Sequence, residues 1–207
     1  MRIEPLGESA LILRDLPRAA PEAAAILGRP PGVIEAWAAV DAVGVVLDGG
    51  VDLEAALSGA AEAMPPRLHT IPVLYDGEDL AEVAGRCGLT TREVVELHAR
   101  EFDCRAVGFC PGFGYLTPLP EPLASLPRRD APRSRVAPGS VAVAAGMTAV
   151  YPLERPGGWW LVGRTPLTLV EEADGYFPLR AGDRVRFVAV DAHEFERRKG
   201  ERLPSGS

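Results

Sequence analysis

Four arginines lie close together in a proline-bounded stretch of this chain. They are Arg128, Arg129, Arg133 and Arg135, within the segment 127–135. Guanidinium groups bind carboxylate and phosphate oxygens through two parallel hydrogen bonds. The cluster therefore favours a site for an anionic group, although arginines solvated on the surface would give the same pattern.

The segment 107–116 reads VGFCPGFGYL and combines backbone freedom with aromatic surface. Glycines permit positive φ angles and close backbone approach. This composition is typical either of a ligand-binding loop or of a tightly packed corner of a β-barrel. The residues that define these alternatives are Gly108, Gly112 and Gly114 together with Phe109, Phe113 and Tyr115. Cys110 is expected to be an unpaired structural thiol, like Cys87 and Cys104, because no Cys-x-x-Cys spacing occurs.

A second concentration of unusual residues lies at 156–166, which reads PGGWWLVGRTP. The paired glycines fit a tight turn, and Trp159 and Trp160 offer large apolar faces for a core or a ligand. Arg164 and Thr165 would then lie at the mouth of the strand that follows.

His98 is the histidine that most resembles a functional group, because it ends a predicted helix just before the glycine-rich segment. It could transfer protons at a cleft, or it could be a packing or capping residue. The three histidines are far apart in the sequence, and we expect no metal site. The glycine patterns of a dinucleotide fold and of a classical phosphate loop are not found in the sequence.

The composition is that of an ordinary globular protein. The chain has 207 residues, of which 47% are hydrophobic and 25% charged, and its formal net charge is -7. Negative charge argues against nucleic acid as a partner. No apolar run is long enough to span a membrane, and we expect a cytoplasmic protein without membrane contact.

The first 76 residues predict a ferredoxin-like α+β domain. Its elements are a strand at 9–14, a helix at 21–27, a hairpin of 33–40 with 43–47, a helix at 53–64 capped by Asp52, and a strand at 68–75. The order of strand, helix, strand, strand, helix and strand is the split βαβ pattern, with a four-stranded antiparallel sheet.

Residues 77–207 predict a second domain that begins with two helices, at 79–87 and 91–100. Thr90 and Glu93 fit a capping box at the start of the second helix. Short apolar runs separated by glycine and proline then indicate a small antiparallel barrel or sandwich, at 141–144, 148–151, 159–162, 168–170 and 184–188. The polar tail 194–207 is expected to be frayed.

Taken in order, these segments resemble the family of the 5-oxoprolinase B subunit, also called allophanate hydrolase subunit 1 and represented by a sporulation-kinase inhibitor. The residues that carry the resemblance include 71–75, 108–116, Pro127-Arg-Arg129, Pro138-Gly-Ser-Val141, Pro156-Gly-Gly-Trp159 and Gly163-Arg-Thr-Pro166. The resemblance extends over nearly the whole chain.

The resemblance implies a ferredoxin-like domain followed by a cyclophilin-like β-barrel. It also implies an enzyme assembled from this chain, a homologous C subunit and an A subunit, which uses ATP to open the lactam of 5-oxoproline, or a related small amide, to glutamate. ATP would bind through the assembled complex, with no tightly bound cofactor and with a chain that is inactive alone.

We expect three arginines to line the cleft as catalytic groups, because phosphorylation of an amide oxygen needs positive charge nearby. They are Arg129, Arg133 and Arg164. The remaining candidates for substrate contact or for the cleft wall are His98, Phe109, Phe113, Tyr115, Ser140, Met147, Tyr151, Trp159 and Thr165.

The sequence departs from the family at Ala145-Gly-Met-Thr-Ala149, where the family usually has Gly-x-Gln-Thr-Gly. Met147 replaces an amide and Ala149 a glycine, which would fit an altered substrate or a chain that no longer performs the usual reaction. Two alternatives to the enzyme component stay open: a binding module that inhibits a histidine kinase, and a component of urea or allophanate breakdown.

Overall fold

The computed structural model describes residues 1–58 and 65–206. The first sheet is antiparallel, in the order β1-β2-β4-β3. Its strands are β1 (Arg2–Leu6), β2 (Ala10–Arg14), β3 (Val33–Ala38) and β4 (Val43–Leu47). Two helices, α1 (Ala20–Leu27) and α2 (Leu53–Ser58), share a hydrophobic core with it. The predicted hairpin and first helix are therefore confirmed, whereas 59–64 of the expected second helix lie outside the described residues.

Alternation along the strands explains why one face of this sheet carries the helices. Leu13 on β2 and Val43 and Val45 on β4 are fully buried in one cluster with Ala23 and Leu27 of α1. Successive side chains of a strand point to opposite faces, so residues two apart share the buried face. Pro21 lies in the first turn of α1, where a missing N–H costs no hydrogen bond.

The strand expected at 68–75 does not belong to this first sheet. It forms β5 (Leu68–Val73), which pairs in parallel with β13 (Arg184–Ala189) of the second sheet. The fourth strand of the first sheet is β1, which the sequence analysis did not predict. Pro5 obscures β1 as a strand, but proline is tolerated there because β1 is at the edge of the sheet.

The second sheet has seven strands in the order β12-β9-β10-β7-β6-β13-β5. Besides β5 and β13, these are β6 (Glu101–Val107), β7 (Gly114–Thr117), β9 (Ser140–Ala144), β10 (Met147–Val150) and β12 (Trp160–Arg164). Its two edges meet at Leu74 and Arg164, whose backbones exchange two hydrogen bonds of 2.9 Å each. The sheet is thus nearly closed into a barrel, and the predicted α+β class with a barrel is confirmed.

The remaining elements surround the barrel. They are α3 (Leu80–Cys87), α4 (Thr91–His98), the ribbon of β8 (Arg133–Val136) with β11 (Arg155–Gly157), and α5 (Ala192–Arg197). The capping box of α4 is present, since the Thr90 hydroxyl accepts from the Glu93 N–H and the Glu93 carboxylate accepts from the Thr90 N–H. None of the helices in these described parts of the chain is long and apolar enough to cross a membrane.

Two predictions for the second domain need correction. Residues 168–170 form no strand, and Thr168 makes only an isolated bridge to Arg202. The tail is packed instead of frayed, because Leu203 is fully buried and the Pro204 carbonyl lies 3.0 Å from Nδ1 of His69. The Tyr176 hydroxyl also donates to the Leu203 carbonyl. These contacts fix the tail against the barrel up to about Pro204.

Candidate functional site

A cavity of about 380 Å³ brings three of the predicted site residues together, namely Ser140, Arg164 and Thr165. We call it the Ser140 cavity. It lies beside the barrel seam. Its wall is completed by Ala137, Pro138, Gly139, Pro152, Pro166, Leu167, Thr168, Leu169, Phe195, Lys199 and Gly200. A volume of this size suits a small ligand.

Strand pairing positions these residues. Ser140 begins β9, and Arg164 ends β12 directly opposite it in the antiparallel register. Gly139 precedes this pair with φ of +82°, and its carbonyl accepts the Thr165 N–H at 2.8 Å. A Cβ atom at position 139 would lie 2.8 Å from the Thr165 carbonyl oxygen, so only glycine permits this close approach.

Positive charge at the Ser140 cavity comes from Arg164 and Lys199. The Arg164 guanidinium pairs with the Asp76 carboxylate, with Nη2 at 2.8 Å, and its carbon lies 4.4 Å from the centre of the Phe195 ring. The hydrogen bond to Asp76 raises the pKa of Arg164 above its ordinary value, so the guanidinium group stays charged. Lys199 lies 3.2 Å from Glu196 and is exposed.

Phe195 and Lys199 were not among the predicted site residues, because the polar tail is expected from the sequence to be frayed. A local signal was present. Asp191 accepts a hydrogen bond of 2.8 Å from the Glu194 N–H and so caps α5, and an Asp followed three residues later by Glu is a typical helix start. Helix α5 then brings the Phe195 ring to the cavity, and Lys199 follows just after the end of the helix.

The chemistry available in the Ser140 cavity is binding and charge stabilisation. Hydroxyl groups and two cations border an apolar surface made by Leu167, Leu169 and Phe195. Among its lining residues in the described parts of the chain there is no histidine, cysteine, aspartate or glutamate. The cavity therefore suits a small ligand with an anionic or amide group, and the reacting acid, base or nucleophile would have to come from elsewhere.

A neighbouring depression of about 330 Å³ shares Ala137, Ser140 and Arg164 with the Ser140 cavity. It is also lined by the acidic residues Asp76 and Glu78 and by Arg135. Ser140 and Arg164 therefore lie between two hollows that differ in charge. Two carboxylates and two arginines line the depression, whereas Arg164 and Lys199 are the charged residues that line the Ser140 cavity. A ligand in the Ser140 cavity lies on the more cationic side.

Arg129 and Arg133 are held elsewhere, at the start of α3. Both donate to Oδ1 of Asp79 at 2.8 Å, and Oδ2 of Asp79 accepts the Leu161 N–H at 2.7 Å. Asp79 is only 4% exposed. Arg129 additionally lies over the Trp160 ring, at 5.0 Å. The structure therefore joins these two arginines at the buried Asp79 carboxylate, whereas Arg164 pairs with the exposed Asp76. A catalytic role for the three arginines stays a prediction.

The glycine-rich segment forms a packed barrel corner with one exposed aromatic side chain. Phe113 lies at the centre of a ring cluster, with Phe109, Tyr115, Tyr151 and Trp159 between 5.2 and 5.7 Å from its centroid. Gly112 has φ of +76°, and a Cβ atom there would overlap the Val170 side chain. Phe109 is 58% exposed and has an unusual φ of +66° for a bulky residue.

Cys110 within this corner is a structural thiol, as expected. It is buried, and this desolvation raises its pKa. A thiol with a raised pKa carries little thiolate near neutral pH, so the environment does not activate it as a nucleophile.

His98 does not line a cleft, and its interpretation as a packing residue is confirmed. It is fully buried and stacks on Phe187 with ring centroids 4.7 Å apart. The Thr148 hydroxyl donates to the Ala142 carbonyl, so it accepts from Nε2 of His98 at 2.7 Å, and Nδ1 accepts from the Tyr75 hydroxyl. Burial lowers the His98 pKa to about 3 and keeps the ring neutral.

Met147, the unusual residue of its motif, lies at the other end of the β9–β10 hairpin from Ser140. It pairs with Ala144 and packs, partly buried, against the barrel core. The turn beside it uses positive φ at Ala145 and Gly146. The structure thus does not bring Met147 to the Ser140 cavity.

Comparison with known proteins identifies the family. The carboxyltransferase domain family, subdomains C and D, matches residues 1–177. The 5-oxoprolinase B subunit of Escherichia coli O157:H7 is 50% identical over 135 residues, which cover 62% of this chain and 62% of that protein. The corresponding B subunit of Bacillus subtilis (strain 168) is 39% identical over 157 residues, covering 72% of this chain and 65% of that protein.

Solved structures agree with this assignment. The crystal structure of TTHA0988 superposes with a TM-score of 0.75 and 35% identity, covering 88% of this chain and 40% of that one. The urea amidolyase of K. lactis shares only 16% identity but has a TM-score of 0.70, which shows the same fold within 16% of that chain. The chain matches less than two thirds of the length of its curated relatives. It belongs to the carboxyltransferase C and D family that includes the 5-oxoprolinase B subunits.

Proposed function

We propose that this chain is the B subunit of an ATP-dependent 5-oxoprolinase, acting with a homologous C subunit and an A subunit. The observation that carries the proposal is the identity of 39% to 50% with three proteins named as B subunits of 5-oxoprolinase. The Ser140 cavity is compatible with it. 5-Oxoproline carries a carboxylate on a small lactam ring, and this cavity combines two cations, hydroxyl groups and an apolar wall.

In the proposed complex, this chain would bind and orient the substrate, and other subunits would supply the reacting groups. In this reaction the γ-phosphoryl group of ATP passes to the lactam oxygen and ADP leaves. Water then breaks the activated C–N bond, which releases glutamate and phosphate. Positive charge near the developing anion lowers the barrier of such steps. Because the residues that line the Ser140 cavity offer no acid–base pair, we expect this chain to bind and orient, and to be inactive alone. ATP would be bound by the assembled complex.

Reconstitution tests this proposal. The chain is purified alone and with its candidate A and C partners, and 5-oxoproline-dependent release of ADP is measured for each mixture against a background with ATP only. Turnover in the complete mixture and none in the single chain is the expected result. If the three proteins assemble in folded form and turnover never exceeds the background, the assignment is wrong.

A kinase-inhibitor role is less well supported by the geometry. Such a module would favour an exposed apolar surface at Trp159 and Trp160, but these side chains are only 5% and 4% exposed. A histidine-kinase autophosphorylation assay separates the two roles, because a component of the enzyme leaves that rate unchanged. For the urea or allophanate pathway, the likeness to urea amidolyase concerns the fold alone.

A further inference from the structure

A third cavity, of about 380 Å³, lies between the first sheet and the barrel, and half of its eight lining residues are arginines. We call it the arginine cavity. Its lining residues are Arg2, Arg14, Asp15, Leu16, Arg18, Ala20, Asp41 and Arg105. Four guanidinium groups at one place are notable in a chain with a net charge of -7.

Several elements deliver these arginines to the same point. Arg2 and Arg14 lie opposite each other on β1 and β2, and Arg18 lies in the segment that leads into α1. Arg105 comes from β6 of the barrel. The first sheet, the segment before α1 and the barrel therefore all contribute arginines to this cavity.

Part of the donor capacity of Arg2 and Arg14 is unused. The two side chains share Glu4 as an ion-pair partner, at 3.4 and 3.2 Å. In contrast, the contacts of Arg2 with Asp15 and of Arg14 with Asp41 are 3.7 and 3.8 Å long, too long for hydrogen bonds. Both aspartate side chains are largely exposed, at 74% and 85%. They can turn into solvent when another anion enters.

Arg105 has the most available guanidinium group of the four. Its Nε donates to the Val40 carbonyl at 3.3 Å. No carboxylate in residues 1–58 or 65–206 lies within ion-pair distance of it, and its remaining N–H groups can donate to a ligand. Arg105 is partly buried, which strengthens a charge-assisted hydrogen bond relative to one in water.

The start of α1 adds a separate attraction for anions. Ala20 lines the cavity as the first residue of this helix, and Ala19 at the N-cap provides no side-chain acceptor for the first backbone N–H groups. Pro21 supplies no N–H, and the Glu22 carboxylate of the same turn is paired with Arg18 at 2.6 Å. The Ala20 N–H and the helix dipole favour a negative ligand there. They point to the same ligand charge as the arginines do.

We propose that the arginine cavity binds a small phosphate anion, inorganic phosphate or pyrophosphate, which bridges the first sheet and the barrel. A phosphate offers several oxygens in different directions and so matches guanidinium groups that arrive from different elements. Leu16 and Ala20 are the only apolar lining residues in the described parts of the chain, so a nucleoside base would find no flat apolar surface here.

Calorimetric titration tests the proposal with the full chain. Phosphate and pyrophosphate are titrated in separate arms at constant ionic strength, with sodium chloride as the blank. Arg105→Gln and Arg14→Gln should each weaken binding about tenfold, equivalent to roughly 1.4 kcal/mol, because each removes a charge-assisted hydrogen bond to the anion. Arg105→Lys, which retains the charge, should weaken it less. Arg92→Gln on exposed α4 removes the same charge elsewhere and should leave binding unchanged.

Thermal unfolding without phosphate verifies that each variant is folded. Saturable binding that is lost in the cavity variants supports the site, and the arm with the tighter binding identifies the anion. The proposal is overturned if neither anion binds beyond the chloride blank in the wild-type protein. It is also overturned if Arg92→Gln weakens binding as much as Arg105→Gln, because the effect would then be general screening.

Discussion

Asp79 and Leu161 are joined by two hydrogen bonds, although they are far apart in the sequence. The Asp79 N–H donates to the Leu161 carbonyl at 3.0 Å, and the Leu161 N–H donates to the Asp79 carboxylate at 2.7 Å. The same carboxylate receives Arg129 and Arg133. Asp79 therefore fastens the start of α3 to β12 and to the arginine-rich segment at once.

Asp79→Asn should be strongly destabilising, because the amide can still accept the Leu161 N–H but no longer balances two partly buried guanidinium groups. Removal of one partner of a buried ion pair typically costs about 3–5 kcal/mol. Urea unfolding measures the loss. The matched control is Glu78→Gln, whose 62% exposed side chain pairs with Arg133 and should cost about 1 kcal/mol or less. Equal losses in both variants would contradict the role of Asp79.

Gly112→Ala should destabilise the barrel corner for two reasons. The positive φ disfavours a side chain by about 1–2 kcal/mol, and the overlap of its Cβ atom with Val170 adds about 1–3 kcal/mol of overpacking. Gly175→Ala measures the cost of the positive φ alone, because Gly175 has φ of +67° but no atom within 4 Å of its Cβ position. The free energy of unfolding should fall clearly further for Gly112→Ala, and a similar fall in both would show that Val170 yields without cost.

His98 should make the protein less stable in acid. Its pKa is about 3 when folded and about 6.5 when unfolded, so between these values the unfolded chain binds the additional proton. Below pH 6 the wild type should therefore lose about 1.4 kcal/mol per pH unit from this group. Denaturant unfolding from pH 7 to 4.5 should show this slope reduced in His98→Gln. The exposed His193→Gln should retain it, and a wild-type slope in His98→Gln would refute the account.

Ser140→Leu should obstruct the Ser140 cavity while leaving the fold intact, because Ser140 is only partly buried. If the chain works in the proposed complex, the KM for 5-oxoproline after reconstitution should rise about tenfold or more, equivalent to roughly 1.4 kcal/mol of binding. Ser134→Leu places the same side chain at an exposed position of β8 and should leave KM unchanged. If the two variants have identical kinetics, the Ser140 cavity does not contribute to binding of 5-oxoproline.

Local signals in the sequence predicted local structure well. The capping box of Thr90 and Glu93 and the β3–β4 hairpin depend on residues close in the chain, and both are present. Strand β6 was overlooked because charged residues alternate with its buried Phe102, Cys104 and Ala106. This period of two is nevertheless a strand pattern, so the signal existed.

Long-range pairing could not be predicted in the same way. The residues of β5 do not indicate that this strand pairs with β13, which lies more than a hundred positions later in the chain. Likewise, the arginine-rich segment indicated an anionic partner, but the partner is the chain's own Asp79, 50 positions from Arg129. Arg164 and Thr165 were indicated by the segment 156–166 itself and Ser140 by the motif resemblance, whereas Phe195 and Lys199 needed the folded tail to reach the cavity.

The place of β5 in the larger sheet decides where this protein can be divided. A fragment that starts at residue 77 would lack β5, and one side of β13 would lose its whole row of backbone hydrogen bonds. The Arg164 end of β12 would lose its Leu74 partner as well. Such unpaired edges recruit other chains and promote aggregation. A cut on the N-terminal side of Leu68 preserves the seam, and it is there that the barrel should be separable as a soluble piece.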